Sequence, residues 1–462
     1  MLYRIFFLGR LILIFILILT PKENLAQEAK NHQPLTLEDG IQIALKNSLK
    51  LQSALKEIAS LEANIKKAWA KWLPHLYLNI DSGYNKTEFS PYQKSVEDVP
   101  SWIPQDYREV YKNIFYAEDS KKYTNNINIG LTQWLLDNGQ ISTNISIAQI
   151  QYLIAKINLE SIKKQLVYQV SRNYYELLKY RKMIELNQKL LNIKEEQLKK
   201  YESKLDAGII TTSLLLNKKL EVLTAKNDLM KIEDIYERKR EEFLQLLDVD
   251  TLPEFDFNII PDYIPYEGQL KEAISKALED NLQIQVQQLE IRLKEKEINL
   301  ARSGRKVSAM ITGNYGYDRS DENLKKSLDD FNKEWNVRIN ITLPFFTGGE
   351  VTSDIKASLN KYSAAQLTLE ALKKEITSIT RQKYLKIKNL ERQIELLQES
   401  EKIACQDLII AQTQYDAKII AEEDLCDKQI TLDKIILEKI ETLFDHQIAK
   451  IEFFEISGPE EK

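Results

Sequence analysis

The octapeptide LDAGIITT at residues 205–212 returns as YDAKIIAE at 415–422, 210 residues downstream, and the likeness continues upstream at the same offset. LESIKKQL (159–166) meets LEALKKEI (369–376), Tyr174 meets Tyr384, and Ile184-Glu185-Leu186 meets Ile394-Glu395-Leu396. Farther back, LTQWLLDNGQ (131–140) meets ITLPFFTGGE (341–350). A chain written twice from one unit must fold as two similar halves. About 90 residues align here without a gap, which points to rigid packed elements, because loops tolerate insertions and long helices do not.

Before that block the offset becomes 233: ALKNSLKLQ (44–52) matches ALEDNLQIQ (277–285), and DSGYN (81–85) matches NYGYD (314–318). The 23 extra residues fall in the first copy's segment 86–122, a loop rich in aromatics and prolines, whose counterpart near 319–332 is short. Each copy reads as one plan. In the first, a helix over 38–70 is followed by strands at 75–85 and 123–135, a very long helix over 140–206, the DAGIITT break and a helix over 213–247. The repeats are placed at 27–250 and 269–456. Pro253, Pro261 and Pro265 mark a linker at 251–268, and the charged end 457–462 reads as a disordered tail. Residues 1–26 read as a signal peptide: Arg4 and Arg10 flank or interrupt a short apolar stretch, and Ala26 supplies a small residue for cleavage.

Helices of this length do not fit a globule. At 1.5 Å per residue the 140–206 helix reaches ~100 Å, so it must stand outside a compact domain. Leu177, Ile184, Leu191 and Leu198 recur every seven residues, while Met183, Leu186, Leu190 and Ile193 form a second stripe. Two apolar stripes need neighbours on two sides, which describes a wall of paired helices. The composition agrees, with only 13 Gly and 11 Pro in 462 residues.

The strands alternate. Leu76, Leu78, Ile80 and Tyr84 oppose Asn79, Asp81 and Gly83; Ile127, Ile129 and Leu131 oppose Asn128, Gly130 and Thr132. In the second copy Ile311, Tyr315 and Tyr317 oppose Thr312, Asn314 and Asp318, and Trp335, Val337, Ile339 and Ile341 oppose Asn336, Arg338 and Asn340. That pattern suits lipid on one face and water on the other, as it also suits a half-buried soluble sheet. Four strands cannot close a barrel, and open edges are not tolerated in lipid, so several chains would pool their strands.

A net charge of −5 offers no basic footprint, which argues against nucleic acid as a partner. His32, His75 and His446 are too scattered to form a metal set, and no phosphate loop or nucleophile elbow occurs. Cys405 and Cys426 lie at heights ~10 Å apart on antiparallel helices, beyond disulfide reach. The sequence therefore offers no catalytic, cofactor or metal residues, and the expectation is a protein that is not an enzyme.

The phrases LTLEDGIQIALKNSLKLQ (35–52), LTQWLLDNGQ, LPFFTGGE (343–350), LDAGIITTSLLL and YDAKIIAEEDLCD together resemble the TolC-like outer-membrane efflux channels, across nearly the whole chain after the signal. The resemblance implies a mainly α fold with a transmembrane β part: an α-barrel tunnel of helical hairpins in the periplasm, and a twelve-stranded barrel completed by a homotrimer in the outer-membrane lipid. It also implies a periplasmic adaptor and an inner-membrane pump as partners, and a passive exit duct for small molecules or proteins as the function. DAGIITT and DAKIIAE become the two hairpin tips. Gly208, Ile209, Ile210, Lys418, Ile419 and Ile420 are then expected to meet the adaptor, with Lys418 departing from the family's glycine. Asp424 and Asp427, three residues apart on one helix face, fall where the family rings its closed end with carboxylates, whereas the first copy has Leu214 and Asn217. The alternative from a different class is a periplasmic coiled-coil scaffold or adaptor without a pore.

Overall fold

The computed structural model describes residues 36–88, 99–115, 120–251, 259–323 and 331–458. The expected signal peptide lies outside these residues, as do 252–258 of the linker and 459–462 of the tail. The first half runs α1 (Leu37–Asn47), α2 (Leu49–Ala70), β1 (His75–Thr87), a 3-10 turn (Gln105–Tyr107), α3 (Arg108–Phe115), β2 (Ser120–Asp137), α4 (Gln140–Asp206) and α5 (Thr212–Leu247). The second runs α6 (Leu270–Asp280), α7 (Leu282–Ser303), β3 (Ser308–Asp321), β4 (Asn332–Thr342), α8 (Glu350–Asp416) and α9 (Glu422–Ser457). Helices of 11, 22, 67 and 36 residues occur in that order in each half.

The backbone repeats more faithfully than the side chains do. Among the described residues, every positive φ has a partner 210 residues away: Asn138 (51°) with Gly348 (61°), Gly139 (87°) with Gly349 (89°), Gly208 (72°) with Lys418 (57°), and Asp248 (54°) with Gly458 (77°). These pairs sit at the strand-to-helix turn, at the hairpin tip and at the end of the last helix of each half, where a chain leaving or entering a helix needs the left-handed region. Asn138 and Asp248 occupy it because short polar side chains tolerate it.

Two expectations are corrected. The opening helix is not one rod of 33 residues. Ser48 (φ −51°, ψ 111°) leaves the helical region and its hydroxyl accepts the Leu51 N–H at 3.4 Å. Asn281 does the same in the second half, accepting from Gln283 N (2.9 Å) and Ile284 N (3.2 Å). Each is an N-cap that starts a second helix. The segment 86–122 is not all loop either: β1 extends to Thr87, β2 begins at Ser120, and the 3-10 turn and α3 lie between them.

Two compact units form, and each draws on both halves. In the first (36–47, 170–251 and 259–263, and 396–444 among the described residues), Val170, Leu177, Phe243, Leu247 and Phe444 are almost fully buried, and Asn47 Nδ2 donates to the Leu247 carbonyl at 3.1 Å, tying the end of α1 to the end of α5. The second unit carries the strands as one antiparallel sheet in the order β1-β2-β3-β4. Its helices close around Tyr266, Ala273, Ile387, Ala449 and Phe453, and around Ala277, Ile284 and Ile376.

A polar knot ties the segment before α6 to this second unit. Glu391 accepts the Tyr266 N–H and Lys388 Nζ, both at 2.7 Å; Lys388 also donates to the Tyr266 carbonyl at 2.5 Å, and Lys450 donates to Ile264 O at 3.1 Å. His446, 2% exposed, places Nε2 3.7 Å from Glu391 Oε1. Burial raises the Glu391 pKa, but Lys388 and the Tyr266 N–H outweigh it and leave the carboxyl below its ordinary value. Burial first, then Lys450, holds His446 below its ordinary value against the pull of Glu391. A histidine depressed in the folded state contributes stability that is complete above its unfolded pKa of about 6.5 and is lost as pH falls through the folded value; the depressed carboxyl adds its own loss at lower pH. The melting midpoint of the detergent-solubilised protein is therefore expected to drop between pH 7.5 and 5.5, and His446→Gln to flatten that drop. The same pH slope in the variant would mean that His446 is not the group responsible.

Candidate functional site: hairpin tips and sheet faces

Both tips close by one geometry. After α4, Gly208 N–H donates to Leu205 O (2.8 Å) and Ile209 N–H to Lys204 O (2.9 Å); after α8, Lys418 N–H donates to Tyr415 O (2.8 Å) and Ile419 N–H to Gln414 O (2.8 Å). This is the paired 5→2 and 6→1 bonding of a Schellman C-cap. Lys418 thus adopts the left-handed turn that glycine serves in the first tip, and the tip geometry is kept. Ile209 and Ile419 project from the turns at 70% and 72% exposure, with Ile210 and Ile420 half-buried behind them.

The helices that leave the tips are capped in complementary ways. Thr211 accepts the Leu214 N–H at 3.4 Å through its hydroxyl. Ala421, its counterpart, has no such group, and there Asp424 reaches back to accept the Ala421 N–H at 3.3 Å, half of a capping box. Asp424 therefore has a local structural task. Asp427 is exposed and faces Lys218 on α5; burial lowers the Lys218 pKa, but Glu221 and Asp427 outweigh it and leave it raised. Two ion pairs join α4 to α9 beside the second tip. Lys200 Nζ lies 2.5 Å from Glu422, whose hydrogen bond raises the Lys200 pKa, and Lys204 meets Glu423. Exposed pairs of this kind contribute little stability individually. Cys426 lies alongside, half-buried with its thiol pKa pushed up by burial, while Cys405 is exposed; both are free.

The sheet register puts the apolar residues on one face. Leu78 faces Ile129, Ile129 faces Tyr315 and Tyr315 faces Trp335; Leu131 faces Gly313, and Gly313 faces Val337. Asn79, Asn128, Asn314, Asn336 and Arg338 alternate onto the other face. Leu76, Leu78, Ile80, Trp335, Val337, Ile339 and Ile341 are each 58–71% exposed. Tyr84 stacks on Tyr123 at 4.9 Å, and Tyr315 meets Tyr317 edge-on at 6.0 Å, toward the end of the sheet farther from the long helices. On the polar face Tyr77 lies over Gly130, where any Cβ would fall inside its ring, and donates its hydroxyl to Asn314 Oδ1 at 3.2 Å. Among the described residues no helix is long and apolar enough to cross a membrane, and no cluster of His, Cys, Asp and Glu could hold a metal.

A family model for outer membrane efflux proteins matches residues 40–247 and 273–451. The chain belongs to the outer membrane efflux protein family. One relative is the outer membrane protein TolC of Vibrio cholerae serotype O1, 29% identical over 109 residues; the match spans 23% of this chain and only 25% of that protein. The CmeC outer membrane channel of Campylobacter jejuni superposes with a TM-score of 0.75 over 94% of this chain and 90% of that one, at 13% identity. A membrane protein of Pseudomonas aeruginosa gives 0.73 over 91% and 90% at 17% identity. The open-state MtrE channel of Neisseria gonorrhoeae gives 0.72 over 95% and 96% at 15% identity. The fold is thus the mainly helical one of outer-membrane efflux channels, and family membership places the chain at the outer membrane.

Reading the sequence alone missed the polar knot, because Glu391 and His446 are far apart in the chain and share no motif. A lysine in the left-handed region costs about 1 kcal/mol relative to glycine. Lys418→Gly is therefore expected to slow hydrogen exchange of the Ile419 amide by roughly five-fold, and Gly208→Ala to speed that of Ile209 by a similar factor. Equal protection in variant and parent would mean the turn carries no strain.

Proposed function

We propose that three copies of this chain form the outer-membrane channel of a tripartite efflux or type I secretion system, a passive duct that carries small molecules or proteins outward. The observation that carries this reading is the sheet: one face presents a band of large apolar side chains, the outer strands' among them well exposed, and among the described residues β1 and β4 each have an unpaired edge. In water such a face would be covered; in lipid it is the correct outer surface, provided every edge finds a partner. Three chains supply twelve strands, enough for an aqueous lumen, whereas the eight from two chains would be filled by side chains. A periplasmic scaffold leaves this surface without a purpose.

Stripes on the helices support the same assembly. Leu216, Leu220, Leu223 and Met230 on α5 are 56–63% exposed, and Leu396, Ile403 and Ile410 on α8, seven apart, are 55–69% exposed. Both lie in the first unit, and heptad spacing suits helix pairing between copies. The tips Gly208, Ile209 and Ile210, with Lys418, Ile419 and Ile420, then present two apolar knuckles per chain to a periplasmic adaptor, while Asp424 and Asp427 approach their symmetry copies and favour cations at the closed end. The pump in the inner membrane supplies the energy, and this chain performs no catalysis.

In planar bilayers the purified protein is expected to conduct, and Asp424→Asn combined with Asp427→Asn to reduce its cation preference. Absence of conductance, together with release of the protein from membranes by urea without detergent, would overturn the channel reading. Leu220→Glu with Ile403→Glu is expected to shift the native mass from three chains to one; an unchanged mass would place the seam elsewhere.

A further inference from the structure

The apolar face of the sheet has a hole in it. Between Leu131 and Val337 the residue is Gly313, at the floor of a shallow depression of about 720 Å³ walled by Ile129, Leu131, Ile311 and Val337, with Tyr315 and Trp335 toward the far end of the sheet. Nothing in the backbone calls for glycine there. Its φ is not positive, and a Cβ would find its nearest neighbours, Asn336 O and Val337 Cγ2, at an ordinary 3.9 Å. Gly130 and Gly316 differ: a Cβ would enter the Tyr77 ring at the first and sit 2.5 Å from Ile127 O at the second. A glycine inside a strand weakens it, so Gly313 keeps the notch open against the interest of the sheet.

A cation stands at the mouth of the notch. Lys333, which also lines it, faces Tyr317 across the strands and holds Nζ 5.2 Å over the Tyr315 ring. Among the described residues it has no carboxylate in ion-pair reach. Farther along β3, Asp321 is engaged by Arg319 at 3.3 Å. In register beyond this level the face turns polar, with Ser82 bonded to Asn125 at 2.7 Å and Asn125 opposite Arg319, as at the edge of a hydrocarbon layer. A greasy slot ending in an ammonium that rests on the Tyr315 ring and, among the described residues, meets no carboxylate fits an amphiphile with one acyl chain in the slot and an anionic phosphate at its head. We propose that this notch binds an anionic phospholipid, one whose phosphate is not neutralised by a cation of its own head group, in the leaflet at the loop end of the sheet, with the acyl chain lying over Gly313 and the phosphate on Lys333.

The inference rests on the sheet facing lipid. The test reconstitutes the full-length protein into vesicles of equal phosphatidylglycerol and phosphatidylcholine, floats them, and counts retained lipid by native mass spectrometry after detergent release. The parent is expected to keep phosphatidylglycerol over phosphatidylcholine by about ten-fold, because the choline of the second lipid already neutralises the phosphate that Lys333 would meet. Lys333→Gln should bring that ratio near one, while Gly313→Leu, which adds strand-compatible bulk, should release both lipids with the assembly mass unchanged. Equal retention of the two lipids by the parent, or retention untouched in both variants, overturns the site. Polypeptide mass bound in place of lipid overturns it as well. A chain missing from the floated vesicles overturns the membrane reading itself, which separates the two failures.

Discussion

Hydrocarbon offers no hydrogen bonds, so a backbone that enters it must pair all of its N–H and C=O groups. In this chain four strands pair with one another through β1-β2-β3-β4 and, among the described residues, leave two edges open, while the apolar band they build exposes Leu76, Leu78 and Ile80 on β1 and Trp335, Val337, Ile339 and Ile341 on β4. These two facts together require more chains: the face calls for lipid, lipid forbids the edges, and the edges call for copies. In the proposed assembly the continuous helices of 67 residues would supply the seams between copies that a shared strand bundle needs to fix its register.

The duplication lets one solution be used twice and then diverge. The strand-to-helix turn, the tip and the final cap keep their left-handed backbone in both halves even where Gly208 has become Lys418 or Gly458 stands opposite Asp248. Divergence also reaches the residues beside the tips. One half caps its outgoing helix with the Thr211 hydroxyl, the other with the Asp424 carboxylate. The second also recruits Glu422 and Glu423 to bind Lys200 and Lys204 of the first half. A nearly symmetric frame thus ends in two chemically different knuckles.

The long helix over 140–206 was legible to the residue because an ungapped offset leaves no freedom in its length, and the strands were legible because a period of two is unambiguous once the turns are marked. The break at Ser48 was not, since the apolar pattern of 44–52 runs through it and only the capping side chain shows where the helix stops. Lys418 departs from the glycine of the first tip, yet backbone hydrogen bonds, indifferent to the side chain, keep the turn. Asp424 suggested a gate by its place in the phrase, and the hydrogen bond to Ala421 was invisible without coordinates. The Glu391–His446 knot and the notch over Gly313 depend on register between distant segments, which no local pattern encodes.

The central claim, that one face of the sheet meets lipid and the other water, is tested most directly by single cysteines along β4, residues 332–342, in a background with Cys405 and Cys426 replaced. Each would carry a fluorophore in intact membranes and be exposed in turn to a lipid-borne quencher and to a water-soluble one. The account predicts alternation with a period of two: Trp335, Val337, Ile339 and Ile341 positions quenched from lipid, Asn336, Arg338 and Asn340 positions quenched from water. Uniform quenching from water along the whole strand, or no alternation at all, would contradict it.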